Sequence, residues 1–104
     1  MRFAYLFNID TLDPAFAVQA GGYQVWYAVH DNLFRFDQQG KLLPGLAESW
    51  ELSADGMAIT LNLRKAVKFH DGTPFNAQVV KWNFDRMMDP KEISPRRGEL
   101  APFL

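Results

Sequence analysis

The chain has 104 residues, the size of one small domain, and is 48% hydrophobic and 14% aromatic, which argues against disorder. Eleven basic and twelve acidic residues leave a formal net charge of −1, without the clustered basic excess of a nucleic-acid-binding surface. There is no cysteine, so disulfides and thiolate metal sites are excluded, and no apolar run approaches the ~20 residues that span a membrane.

Residues 2–7, RFAYLF, read as a short buried strand. Asp13-Pro14 marks a turn, because proline restricts the residue before it and presets its own φ. Residues 15–22, AFAVQAGG, form a loop ending in two glycines, which tolerate close approach of another group to the backbone. Residues 23–34 are expected to be helical, since Val25, Trp26, Val29 and Leu33 fall on one face.

Residues 35–37 exit into a short strand, Gln38-Gln39-Gly40 turn, and residues 41–46 cross the surface with a break at Pro44-Gly45. Residues 48–53 and 58–63 flank Asp55-Gly56, a hairpin signal. Ile59, Leu61 and Leu63 alternate with polar residues, and Trp50 and Leu52 share a face assigned to the core. Arg64 is placed against Glu48 or Glu51. Residues 66–70 continue extended into a second turn at Asp71-Gly72-Thr73-Pro74. A second helix covers residues 77–88, capped by Asn76 and ended by Asp89-Pro90, with Val80, Phe84, Met87 and Met88 inward. Residues 91–104 read as irregular, and Arg96-Arg97 as a basic pair on a solvated loop. The order β-α-β-β-β-α is a mixed α/β (α+β) pattern.

Chemistry is sparse. His30-Asp31 and His70-Asp71 each set an imidazole beside a carboxylate, but adjacent side chains diverge on strands and helices alike, and no third group stands at ligand spacing. Ser49 and Ser53 lack a nucleophile elbow and read as structural. Gly21-Gly22 lacks the pattern of a phosphate loop. No catalytic residue, metal ligand or cofactor is assigned. Trp26 and Trp50 are core candidates. Trp82 lies off the stripe of Val80 and Phe84, where it covers a neighbouring segment or lines a surface for further chain.

The motif series as a whole resembles the extracytoplasmic solute-binding proteins of ABC importers, in the family 5 class that binds peptides, oligopeptides and nickel chelates. In order it runs Thr11-Leu12-Asp13-Pro14, then Asp31-Asn32-Leu33-Phe34, then Gly40-Lys41-Leu42. Pro44 to Glu51, PGLAESWE, follows, then Asp55-Gly56, Leu61-x-Leu63-Arg64 and Val67 to Phe75, VKFHDGTPF. One departure is Gln78-Val79, where the family usually carries acidic residues. A carboxylate at Val79 would complete a capping box and favour the helix dipole, worth ~0.5–1 kcal/mol.

The resemblance implies an N-terminal fragment of a two-lobed fold. Residues 1–37 would begin the first lobe and residues 38–104 would form part of the adjoining subdomain. It also implies a peptide or other small-molecule ligand, a permease partner, a periplasmic or extracytoplasmic location with no signal peptide in this chain, and no catalysis. In peptide-binding relatives an extended ligand adds as a strand to backbone before the first helix. By position that is Val18, Gln19 and Ala20, with Gly21, Gly22 and Tyr23 close behind; the alternative is that the two glycines only start the helix. Two other functions stay open at this level. One is a regulatory or interaction module, oligomeric through apolar faces near Trp82 and Phe103. The other is a small hydrolase using His70.

Overall fold

A computed structural model describes residue 9, residues 11–18 and residues 20–102, without the side chains of Ala20 and Gln24. The strand expected at 2–7 lies outside these residues, as do Gln19 and Phe103. The described elements are α1 (Ala20–Val29), β1 (Phe34–Phe36), β2 (Leu42–Pro44), β3 (Ala47–Leu52), β4 (Ile59–Leu63), α2 (Ala77–Met88) and α3 (Arg97–Leu100). This is the mixed α/β fold expected. The chain divides into two units. One takes the described residues within Met1–His30 and Lys81–Leu104, and the other is Asp31–Val80.

In the Asp31–Val80 unit, two antiparallel ladders share a seam. β1 pairs with β2 in the register Phe34↔Pro44 and Phe36↔Leu42. β3 pairs with β4 from Ala47↔Leu63 to Leu52↔Ile59, with a bulge between Ala47 and Ser49. The seam is backbone. Leu46 N–H donates to Asn32 C=O (2.9 Å), Ala47 N–H donates to Leu33 C=O (3.0 Å), and Arg64 N–H donates to Leu46 C=O (2.8 Å). Arg64 Nε adds a bond to Gly45 C=O (2.7 Å), and its guanidinium lies 3.7 Å from Glu48, the pairing expected.

The hairpin tip is closed by its own side chains. Ser53 Oγ accepts from Ala58 N–H (2.9 Å), and Asp55 Oδ1 accepts from Met57 N–H (3.0 Å), while Gly56 takes φ +70°. The second Gly turn repeats this chemistry: Asp71 Oδ1 accepts from Thr73 N–H (2.9 Å) and Thr73 Oγ1 (2.7 Å). These bonds, foremost the Thr73 hydroxyl, hold the Asp71 carboxyl below its ordinary value.

Packing corrects several sequence expectations. Trp50 is half-buried edge-on against Phe34, with centroids 5.1 Å apart. Leu52, assigned to the same core face, is 67% exposed, and its partner Ile59 is also exposed. Both sit at the turn end of a two-stranded ladder. Residues 42–44 form a strand rather than a bare crossing, and α3 occupies part of the tail read as irregular.

α2 matches its predicted bounds. Val79 N–H donates to Asn76 Oδ1 (3.1 Å), so Asn76 is the N-cap and Val79 is N3. Replacing Asn76 with Ala is expected to cost about 1 kcal/mol, read as a lower urea midpoint at unchanged slope. A loss under a few tenths would remove the cap from the account.

Candidate functional site

The segment Val18–Tyr23 belongs to the unit of residues 1–30 and 81–104. The structure starts α1 at Ala20, three residues earlier than the apolar pattern indicates, and ends it at Val29. Gly21 and Gly22 therefore lie in the first helical turn and do not close the loop, while Leu33 falls outside the helix and Val29 is exposed. Gly22 is buried against the Trp26 indole one turn on. A Cβ there would stand 2.8 Å from Cζ2, so the missing side chain makes room for the ring. Trp26 is 7% exposed and packs edge-to-face with Tyr23, with centroids 5.1 Å apart, as its core assignment requires. Val18 and Tyr23 reach the surface.

Before this segment the chain is folded by Asp13. Its carbonyl accepts from Phe16 N–H (3.1 Å) and Ala17 N–H (3.2 Å), and Oδ1 accepts from Ala15 N–H (3.0 Å). The carboxylate also takes two bonds from the Arg86 guanidinium, one of them Nη2 to Oδ1 at 3.0 Å. Arg86 lies over the rings of Trp82 (5.1 Å) and Phe16 (5.6 Å), so Trp82 carries a cation on one face despite its exposure. The Arg86 hydrogen bonds hold the Asp13 carboxyl below its ordinary value against the opposing cost of burial, with Ala15 N–H helping.

A second pair of side chains arrives from the turn ahead of α3. Ser94 Oγ, buried, donates to Ala15 C=O (2.5 Å). Arg96 Nη2 donates to Ala17 C=O (3.0 Å) and to the Tyr23 hydroxyl (2.7 Å), and Nη1 bonds both oxygens of Glu99 (2.9 and 3.1 Å). The Tyr23 bond chiefly raises the Arg96 pKa above its ordinary value. Accepting from Arg96 leaves the phenol its own proton to donate.

Of the six residues singled out in the sequence, the structure brings Val18, Ala20, Gly21, Gly22 and Tyr23 together at the start of α1. Arg96, read as half of a solvated basic pair, is an internal strut; Arg97 is exposed. Asp13, Arg86, Ser94 and Arg96 were not assigned to the site. Their partners lie 73 or 79 residues away along the chain, and no local pattern signals such pairs. A cavity of about 250 Å3 opens between Pro14, Met87 and Leu100, with Arg86 and Arg96 in its wall, but both guanidiniums are committed to carboxylates. Among the described residues no three His, Cys, Asp or Glu side chains group as metal ligands, and no helix is long and apolar enough to cross a membrane.

Known proteins resemble this chain in sequence and fold. The glutathione-binding protein GsiB of Escherichia coli K12 is 45% identical over 83 residues, covering 80% of this chain and 16% of GsiB. The E. coli murein tripeptide binding protein MppA matches 90% of the chain at a TM-score of 0.83 and 35% identity, over 18% of its own length. Haemophilus influenzae OppA, solved in complex with RPPGFSPFR, matches 88% of the chain at 0.81 and 33% identity, again over 18% of its length. The chain thus spans less than a fifth of each of these relatives. The family model described as bacterial extracellular solute-binding proteins, family 5 Middle, matches residues 41–102, more than half of the sequence. The chain belongs to the bacterial extracellular solute-binding proteins, family 5.

Proposed function

We propose that these residues are the N-terminal part of the solute-binding component of an ABC import system. They would bind peptides or peptide-like small solutes outside the cytoplasm for delivery to a membrane permease, with no catalytic step. The observation that carries this reading is the chemistry of the ligands of the three relatives named: glutathione, a murein tripeptide and a nonapeptide are all peptide chains or close analogues. Hinge closure of two lobes would enclose the solute. Val18–Tyr23 is the proposed contact segment. Its support is positional, together with exposed Val18 and Tyr23 beside the first turn of α1. The expected mode is strand-like addition of an extended ligand to the backbone just ahead of α1, at Val18, with the first turn of the helix beside it.

Calorimetric titration with glutathione and trialanine tests the reading. The complete protein carrying this chain is expected to bind at least one of them near micromolar, about −8 kcal/mol, and the isolated 104 residues to bind neither better than about millimolar. Micromolar binding by the 104 residues alone would overturn the two-lobe arrangement. Binding of neither probe by the complete protein would overturn the peptide assignment.

A further inference from the structure

We infer that Arg96 is a positioning residue for the ligand segment, a clasp that fixes both ends of residues 17–23 at once; this rests on the proposed function. One guanidinium nitrogen, Nη2, bonds the carbonyl of Ala17 just before the segment and the hydroxyl of Tyr23 at its end. The guanidinium carbon also lies over the Tyr23 ring, 5.5 Å from its centroid. Its other terminal nitrogen is held by Glu99, so the fork is oriented before it meets the segment. Ser94, two residues earlier, ties Ala15 C=O through a buried hydroxyl, and that hydroxyl also accepts from Arg96 N–H (3.2 Å). The turn that delivers both side chains contains Ile93 at φ +48°, a left-handed conformation that a β-branched residue rarely adopts.

Binding an extended peptide to backbone orders that backbone, and a segment already ordered loses less entropy when the ligand arrives. Arg96 sits where it can supply that order without touching the solute. A lysine at the same place keeps the charge but has no planar fork to hold two partners and a carboxylate together. Tyr23 gains as well. With Arg96 donating to its oxygen, its own proton is directed to an acceptor, the chemistry of a peptide carbonyl or carboxylate.

The experiment compares wild type, Arg96→Lys and Tyr23→Phe in the complete protein carrying this chain, with Lys81→Met in the exposed α2 pair as control. Hydrogen exchange at the amides of Val18, Gly21 and Gly22 is read with and without saturating glutathione or trialanine, beside the calorimetric Kd and the melting temperature. Arg96→Lys is expected to speed exchange at these amides about tenfold without ligand. It should also weaken binding about tenfold, some 1.4 kcal/mol, with little change in melting temperature. Tyr23→Phe, which removes one leg of the clasp, is expected to fall between, and Lys81→Met to match wild type.

Unchanged exchange and affinity in Arg96→Lys would overturn the clasp. If Arg96→Lys does not fold, Tyr23→Phe decides by the same readouts. If ligand fails to protect these amides in wild type, the site assignment falls and the positioning role with it. The ligand-free exchange of Arg96→Lys separates that failure from failure of the clasp itself.

Discussion

Replacing Gly45 with alanine is expected to destabilise the protein by about 3 kcal/mol, at the upper end of overpacking penalties. Gly45 stands at the seam of the two ladders. An added Cβ would lie 2.3 Å from the Asn32 carbonyl oxygen, 2.8 Å from that of Leu33 and 3.0 Å from the Leu33 carbonyl carbon. All three are backbone atoms and cannot swing aside as a flexible side chain would. Moving residues 32–33 would break the bonds that Leu46 and Ala47 donate to them, and moving residue 45 would strain the bond from Arg64 Nε. Urea unfolding followed by tryptophan fluorescence measures the loss, with Trp50 beside the seam's own Phe34 as reporter. A loss under 1 kcal/mol would show that the seam yields.

Substituting Asp13 by asparagine should cost about 2 kcal/mol. Breaking a fully buried pair costs roughly 3–5 kcal/mol, and an exposed one about 0–1. The side chains here are 19% exposed for Arg86 and 35% for Asp13, which places the pair between those limits. Lys81–Asp85, 75% and 60% exposed, is expected near zero and serves as the control. Acid should reproduce the effect in wild type. The folded state lowers the Asp13 pKa below its ordinary 3.8. Its contribution is therefore complete above that value and disappears as pH falls through the lower folded value, because the unfolded chain takes up the proton first. Stability measured from pH 5 downward should fall less steeply in Asp13→Asn than in wild type. Parallel curves would show that the pair is not linked to folding.

What could be read in the sequence was local. The Asp55-Gly56 hairpin, the Asn76 cap and both ends of α2 follow from neighbours a few residues apart, and the structure places them as read. The start of α1 was misplaced because two glycines weigh against helix, each by about 1 kcal/mol relative to alanine. The reason to keep Gly22 appears only once Trp26 is known to fold back over it. β2 was missed for a related cause: Leu42–Pro44 has little strand character of its own and is held by pairing with β1. Of the site, the sequence supplied a position by resemblance. The clasps at Ala15 and Ala17 could not be read, because a carbonyl carries no mark of the side chain that will bind it 79 residues later, and the Asp13 carboxylate meets Arg86 only 73 residues on.

The division of the chain has a temporal consequence. Asp31–Val80 is continuous in sequence, whereas the other unit joins the two segments that flank it. During synthesis the Ser53–Ala58 tip can close as soon as it emerges, on a timescale of about 1–10 µs for a hairpin. The Ser94–Ala15 bond must wait for a partner 79 residues downstream, which at roughly 5–20 residues per second arrives seconds after the tip is complete. Closing that longer loop also costs roughly 2.4 kcal/mol more chain entropy, about four doublings of length from the five-residue tip. The hairpin unit therefore has its whole sequence in hand before Ser94 and Arg96 can clasp the segment around Val18–Tyr23.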